Sequence, residues 1–254
     1  MSISVVDTSE QSATADPYYE DRCNLAAAFR MTARLDMDEG VANHFSYSVS
    51  GDGSQFLINP FGRHFSNMRA GDLLLLDANA AAAEKADPTA WAIHGAMHRN
   101  LPQARCVMHV HSKYATVLAS LAESGLPPID QNSMRYFNRV AVDDGFDGMG
   151  LGDEAERLTT TLGDNRILIM GNHGVMAVGD TIARAFDELF YFERACRNYI
   201  TALTTGKPLR IASDAVAEKT ARQWEDYADR FGSCDAHLRE IREVLDREEP
   251  DYKL

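Results

Sequence analysis

Two histidines one residue apart, His109 and His111, close the apolar run CVMHVH that begins at Cys106. In a β-strand the side chains of residues i and i+2 lie on the same face, so the two imidazoles would project side by side. Cys106 and Met108 would then face the other way. Imidazole is the commonest metal ligand among protein side chains, and the pair predicts a metal site. Two ligands do not complete such a site, so a third group has to come from elsewhere in the chain.

His173 is the candidate for the third ligand. It lies in the segment ILIMGNHGVMAVG, between two apolar stretches, and the adjacent Gly171 and Gly174 permit a tight turn that would bring its side chain over the sheet. Three imidazoles can hold a divalent ion and leave a coordination position open, as catalytic metal sites require. The alternative is that all three are hydrogen-bonded structural histidines, and the spacing alone does not separate the two interpretations.

Composition favours a small-molecule substrate. The 254-residue chain has 25 Lys and Arg against 38 Asp and Glu, a formal charge of −13, which repels nucleic-acid phosphates and anionic lipid surfaces. We therefore expect neither nucleic acid nor a membrane as partner. The four cysteines lie far apart without a CxxC pair, and the chain shows neither an export signal nor about 18 consecutive apolar residues. A cytoplasmic location is expected.

The apolar periodicity and the turn signals predict one α/β domain over residues 18–254, after a flexible tail over residues 1–17. Predicted helices cover 22–35, 88–100, 112–124, 153–162 and 181–205, with a charged helical extension over 213–246. Predicted strands cover 45–50, 55–60, 72–79, 105–111, 166–172 and 175–179. The chain contains no GxGxxG or GxxxxGK phosphate-binding motif.

Three long segments carry a family resemblance: AWAIHGAMHRNLPQARCVMHVHS, LPPIDQNSMRYFNRVA and ILIMGNHGVMAVGDTIARAFDELFYFERAC. Over about residues 22–230 they resemble the class II aldolase/adducin family, and ANHFSYSV with FLINPFGRHFSNM resembles its adducin-like branch. The resemblance implies a three-layer α/β/α sandwich on a largely antiparallel sheet. It also implies a homotetramer with active sites at subunit boundaries, and one divalent ion bound by His109, His111 and His173. Zn²⁺ is expected first, with Mn²⁺ or Fe²⁺ as alternatives.

The expected chemistry is carbon–carbon bond cleavage. An ion with three histidine ligands and an open position can act as a Lewis acid on a hydroxy- or keto-acid and stabilise an enolate, through which both aldol cleavage and decarboxylation proceed. In the sugar-phosphate aldolases of the family, an acidic acid/base stands at the position of Ala90. Serines of their phosphate site are replaced by Asp87-Pro88-Thr89, and an aspartate repels phosphate. A non-phosphorylated substrate is therefore expected.

Five further residues are site candidates. His94 lies one helical turn after Ala90 and is the candidate for catalytic proton transfer, although an interfacial structural role is as compatible with the sequence. Asn43 and His44 match the family's substrate-binding turn, where an amide suits a carboxylate or phosphate oxygen. Arg135 could pair with a substrate carboxylate or form an interfacial salt bridge. Gln131 stands about where the sugar-phosphate aldolases use a tyrosine, which is replaced in this chain, and Gln131 is a substrate-binding candidate.

Two other functions remain open from the sequence. A three-histidine site with an open position also suits Fe²⁺ and O₂ in oxidative cleavage. The substitution of the acidic residue by Ala90 is compatible with a non-catalytic, adducin-like interaction module. The intact histidine set favours an enzyme, because an interaction module has no need of it.

Overall fold

The computed structural model describes residues 16–80, 85–147 and 154–254. Within these ranges, a seven-stranded sheet forms the centre of the protein. Its strands are β1 (His44–Ser48), β2 (Gln55–Ile58), β3 (Leu74–Asp77), β4 (Cys106–Val110), β5 (Val140–Asp143), β6 (Ile167–Met170) and β7 (Gly174–Gly179). The helices are α1 (Tyr19–Arg34), α2 (Pro88–Asn100), α3 (Lys113–Ala119), α4 (Gln131–Arg135), α5 (Glu154–Leu162), α6 (Ile182–Leu203), α7 (Asp214–Phe231) and α8 (Ser233–Glu248).

The strand order across the sheet is β3-β2-β1-β4-β7-β6-β5. Neighbouring strands run antiparallel except β5 and β6, which are parallel. The predicted, largely antiparallel sheet is therefore confirmed. Strand β4 lies at its centre, where His109 is opposite His44 of β1 on one side and Met176 of β7 on the other.

Alternation along β4 sorts its side chains between two layers. Cys106 and Met108 lie in a core cluster with residues of α1, α3, α6 and α8, whereas Val107 lies in a second cluster with residues of α2 and α5. Helices α1, α3 and α6 cover one face of the sheet, and α2 and α5 cover the other. The predicted three-layer α/β/α sandwich is confirmed, and His109, two residues after Val107, belongs to the face covered by α2.

Helix α2 begins at Pro88, as its sequence predicts. The Asp87 side chain caps it by accepting hydrogen bonds from two backbone N–H groups of the first turn, and a proline at the first helical position has no N–H that would need a partner. His94 and His98 are one turn apart on this helix, and both are buried. The capped start thus fixes where His94 and His98 lie along the strands against which the helix packs.

The segment 72–79, predicted to be a buried strand, forms the edge strand β3 instead. It stands at the end of the strand order, and the Leu75 side chain is 44% exposed. A run of leucines does not reveal that the outer face of a strand is uncovered, because that depends on chain segments distant in sequence.

Two predicted helical regions end differently in the structure. The helix predicted over 112–124 stops at Ala119. The region 213–246 contains two helices, α7 and α8, because Gly232 between them adopts a left-handed backbone conformation with φ of +59°. The tail predicted over 1–17 lies outside the described residues except for its last two positions, and so does Asp153, the first residue of another predicted helix.

Candidate metal centre

Three histidines from two neighbouring strands form the candidate site. His109 lies in β4, His111 follows that strand directly, and His173 precedes β7. One ring nitrogen of each lies within 4.8 Å of the other two, and the Nε2 atoms of His109 and His111 are 3.0 Å apart. The structure brings together the three residues that the sequence predicts as metal ligands.

The protein orients the rings of His109 and His111 through their second nitrogens. His109 Nδ1–H donates to the Val175 carbonyl at 3.0 Å, and His111 Nδ1–H donates to the Glu39 carboxylate at 2.5 Å. Since a carbonyl and a carboxylate only accept, the hydrogens of the neutral, metal-binding forms of both rings are on Nδ1, and in those forms the two Nε2 lone pairs converge. A cation relieves that repulsion, and the same outer partners are typical of metal-binding histidines. The residues present therefore fit a divalent ion.

His173 is the third member of the set. Its Nδ1 atom is buried and has no hydrogen-bond partner among the described residues. Burial, with the nearby His111, lowers the pKa of His173 to about 4, and burial holds the pKa of His109 well below its usual range. Both rings are neutral near pH 7, which is the form that binds a metal ion.

Gly174 allows the close approach of the two strands at the site. A Cβ atom on this residue would lie 2.6 Å from the Val110 carbonyl oxygen and 2.8 Å from Cδ2 of His111. Any other residue would therefore displace either the backbone of β4 or a ring of the histidine set. The glycine is part of the site because it leaves room for the ligands.

Glu193 of α6 fixes the chain directly after His111. Its buried carboxylate accepts hydrogen bonds from the Ser112 hydroxyl at 2.7 Å and from the backbone N–H groups of Tyr114 and Ala115 at 2.9 Å. Burial raises the pKa of Glu193, while these donors oppose that shift. The corner between β4 and α3 is thereby attached to the helix layer behind the sheet.

Asn43 and His44 lie beside the histidine set. The ring of His44 is centred 4.9 Å from that of His109, its cross-strand partner. The Asn43 carbonyl oxygen Oδ1 accepts from the Glu39 N–H at 2.7 Å, and its buried amide nitrogen has no partner among the described residues. An unused donor and a fourth imidazole therefore lie at the edge of the site.

His94 is fully buried behind His44. Its Nε2 atom is 2.7 Å from Nδ1 of His44, and its Nδ1 atom is 2.5 Å from the Ser46 hydroxyl. Both ring nitrogens of His94 are thus occupied by protein groups. The proton-transfer role predicted for His94 could reach a substrate only through His44.

The sequence model of the Class II Aldolase and Adducin N-terminal domain matches residues 23–200. The chain belongs to the class II aldolase/adducin family. The family resemblance predicted from the three sequence segments is confirmed.

Relatives in this family support the assignment. A Caulobacter vibrioides protein with an aldolase class 2 name is 32% identical over 211 residues, which are 81% of each chain. Decarboxylase NovR of Streptomyces niveus is 29% identical, over 85% of this chain and 83% of its own. The crystal structure of an aldolase II superfamily protein from Pseudomonas syringae has a TM-score of 0.86 at 29% identity and covers 95% of this chain and 98% of its own.

Arg135 and Gln131 lie in a different cavity of this class II aldolase/adducin domain. The cavity has a volume of about 490 Å³, and its other lining residues are Asp187, Tyr191, Thr220, Gln223, Trp224, Tyr227, Ser233 and His237. Arg135 is buried, with its guanidinium 2.8 Å from the Asp187 carboxylate and 3.2 Å from that of Glu188. Within this chain, the two predicted substrate-binding residues are therefore not brought together with the histidine set.

Three residues of the site were not found by sequence reasoning. Ser46 could have been found from the sequence, because it lies two residues after His44 and so shares a face of β1 with it. No sequence pattern indicates Glu39, since it belongs to a loop 72 positions before its partner His111. No sequence pattern indicates Glu193 either, because the corner that it caps is 81 positions away at Ser112.

Proposed function

We propose that the protein is a divalent-metal-dependent carbon–carbon lyase, of aldolase or decarboxylase type, acting on a small non-phosphorylated hydroxy- or keto-acid. The observation that carries this proposal is the convergence of the Nε2 atoms of His109 and His111, 3.0 Å apart, beside His173. The similarity to a relative named decarboxylase supports the reaction class.

In this proposal the three histidines hold the ion, Zn²⁺ first, with Mn²⁺ or Fe²⁺ as alternatives. When bound, the ion supplies Lewis-acid stabilisation of negative charge on a substrate oxygen. The unused amide N–H of Asn43 donates to the substrate carboxylate, and His44 lies against the reacting part of the substrate. Arg135 and Gln131 are proposed to serve a site at a subunit boundary, as the tetramer expected for the family would allow.

The start of α2 supports a substrate without phosphate. Ala90 is buried in an apolar cluster with Phe56 and Ile58, so no proton-transfer group stands at the position that is acidic in the sugar-phosphate aldolases. The carboxylate of Asp87 occupies the N-terminus of the helix, where an anionic phosphate would otherwise be attracted.

A cytoplasmic location is also proposed. All four cysteines are free and buried, which suits a reducing compartment. Among the residues that the structure describes, no helix combines the length and apolar character needed to cross a bilayer.

The first test is metal content. Protein purified without added metal or affinity tag should contain about one Zn, Mn or Fe per chain by elemental analysis, and the double variant His109→Ala with His111→Ala should lose it, because one ligand does not hold the ion. His64→Ala is the matched control, since the His64 ring is exposed and bonds Ser66. A wild type that neither contains nor takes up any of the three metals would contradict the proposal.

The metal found then directs substrate screening. Hydroxy- and keto-acids are offered to the loaded protein, and carbon dioxide or the carbonyl product is measured. Strict iron dependence with oxygen consumption would instead support oxidative cleavage. Absence of metal binding would argue against both enzyme functions and would favour the non-catalytic interaction module.

A further inference from the structure

A chain of hydrogen bonds runs from the loop after α2 to the edge of the histidine set. Its members, in order, are the carbonyl of Ala104, then His98, Ser46, His94 and His44. We propose that this chain fixes His44 as the tautomer with an unprotonated Nε2, and that Ser46 and His98 are positioning residues for it.

The bonds of this chain are short and shielded from water. His98 Nδ1 is 2.7 Å from the Ala104 carbonyl oxygen, and the hydroxyl of Ser46 is 2.7 Å from Nε2 of His98. The same hydroxyl is 2.5 Å from Nδ1 of His94, whose Nε2 is 2.7 Å from Nδ1 of His44. Ser46 and His94 have no exposed surface, and His44 and His98 are less than a tenth exposed.

The Ala104 carbonyl determines which atom donates and which accepts in every bond of this hydrogen-bond chain. A carbonyl oxygen only accepts, so His98 donates from Nδ1 to Ala104. Burial lowers the pKa of His98 to about 4 and that of His94 well below its usual range, so both rings are neutral near pH 7. A neutral ring has one N–H, so Nε2 of His98 accepts, and the Ser46 hydroxyl donates its only hydrogen to it.

The remaining steps follow from the same rule. Because the Ser46 hydrogen is used, its oxygen accepts from Nδ1–H of His94, and Nε2 of His94 must then accept. The donor to that atom is Nδ1–H of His44. In the neutral His44 ring, the second nitrogen, Nε2, is therefore left with a lone pair and no hydrogen.

The consequence is an acceptor of fixed orientation beside the metal centre. His44 is opposite His109 in the sheet, but its ring nitrogens are not part of the group in which all ligand atoms lie within 4.8 Å of one another. A lone pair there accepts a hydrogen bond from an O–H group, which favours a hydroxy-acid over a substrate without a hydroxyl. This last step rests on the proposed function, whereas the tautomer assignment does not.

Histidine tautomers can be read directly from ¹⁵N shifts. In the full-length, metal-free protein labelled with ¹⁵N-histidine at pH 7.5, long-range ¹H–¹⁵N correlation should show protonated Nδ1 and unprotonated Nε2 for His44, His94 and His98. Observation of a protonated Nε2 on His44 in the wild type would overturn the proposal, whether or not a substrate is ever found.

The role of Ser46 is tested by Ser46→Ala, which removes the link between His98 and His94. The Nε2 signal of His44 should move towards the range of a protonated imidazole nitrogen, because nothing then dictates the tautomer of His94. Ser48→Ala is the matched control. Ser48 is buried on the same face of β1, and its hydroxyl donates to the Ser50 carbonyl, which takes no part in the hydrogen-bond chain to His44. An unchanged His44 spectrum in folded Ser46→Ala would overturn the role of Ser46.

Variants of His98 give an independent test, which remains available if Ser46→Ala does not fold. His98→Gln can still donate to the Ala104 carbonyl and accept from Ser46, so the His44 tautomer should persist. His98→Leu offers neither group, so the tautomer should be lost. The same spectrum in both variants would contradict a positioning role for His98.

Discussion

The Arg135 side chain is only 8% exposed, and the carboxylates of Asp187 and Glu188 neutralise its charge. Asp187 also accepts from Nδ1–H of His237 at 2.9 Å and from the Cys234 thiol at 3.5 Å, so this one carboxylate satisfies three donors. We predict that Asp187→Ala lowers the free energy of unfolding by about 3 kcal/mol, since it leaves a buried cation with half of its partners. Urea denaturation monitored by circular dichroism measures the loss.

The control for this prediction is an exposed ion pair. Arg239 and Glu240 are 3.8 Å apart and about two-thirds exposed, so Arg239→Ala should change the free energy of unfolding by less than about 0.5 kcal/mol. Equal losses in the two variants would show that burial does not determine the strength of the Arg135 pair.

His98 makes stability depend on pH. Its pKa is about 4 in the folded protein against about 6.5 in an unfolded chain. Between these pH values the unfolded chain binds a proton that folded His98 excludes, so the free energy of unfolding falls as pH drops from about 6.5 to about 4. The expected slope from this residue is up to about 1.4 kcal/mol per pH unit.

Denaturation at pH 7.5, 6 and 5 measures this slope in metal-free protein. His98→Gln should show a shallower decline than the wild type, whereas His64→Gln, at an exposed position, should decline as the wild type does. A slope unchanged by His98→Gln would mean that the folded protein accepts the proton at this residue without cost.

The three histidines proposed as metal ligands could be predicted from the sequence. The residues that orient them could not. The alternation of side chains along a strand is a local rule, so it places His109 and His111 together before any fold is known. Glu39 orients His111 from a loop, where no periodicity applies. Arg135 has the chemistry of a carboxylate binder, but the sequence does not show that Asp187 and Glu188 already occupy it.

At the scale of elements, the site depends on how closely β4 and β7 approach at Gly174. We predict that Gly174→Ala lowers metal affinity at least tenfold and also reduces stability, since its Cβ would meet the Val110 carbonyl at 2.6 Å. Isothermal titration with Zn²⁺ measures the affinity. Gly125→Ala is the control, because a Cβ at Gly125 meets nothing within 4 Å. Wild-type affinity in Gly174→Ala would contradict the close-approach argument.

Most helices and strands were predictable because each has its own signal. Helix α2 has a capping aspartate and a proline at its start, and the β1–β2 hairpin has a glycine-rich turn. The edge position of β3 and the break between α7 and α8 were not predicted. The first depends on which strands pair across the sheet, and the second on the conformation of one glycine, Gly232, inside a stretch predicted to be helical throughout.

At the scale of the whole molecule, metal binding and folding are coupled, because the ligands meet only in the folded chain. We predict that Zn²⁺ at 100 times its dissociation constant raises the free energy of unfolding by about 2.7 kcal/mol, and that a chelator removes the increase. The double variant His109→Ala with His111→Ala should show no increase. A comparable gain in that variant would place the ion elsewhere.

The pairing of β4 with β7 also determines when the site comes into existence. His109 and its acceptor Val175 are 66 positions apart in the chain, and pairing of segments so far apart is slow. Before it forms, β4 offers only two of the three ligands. If the pairing completes after the folding barrier, an ion bound at the finished site lengthens the lifetime of the native state and leaves the rate of folding nearly unchanged.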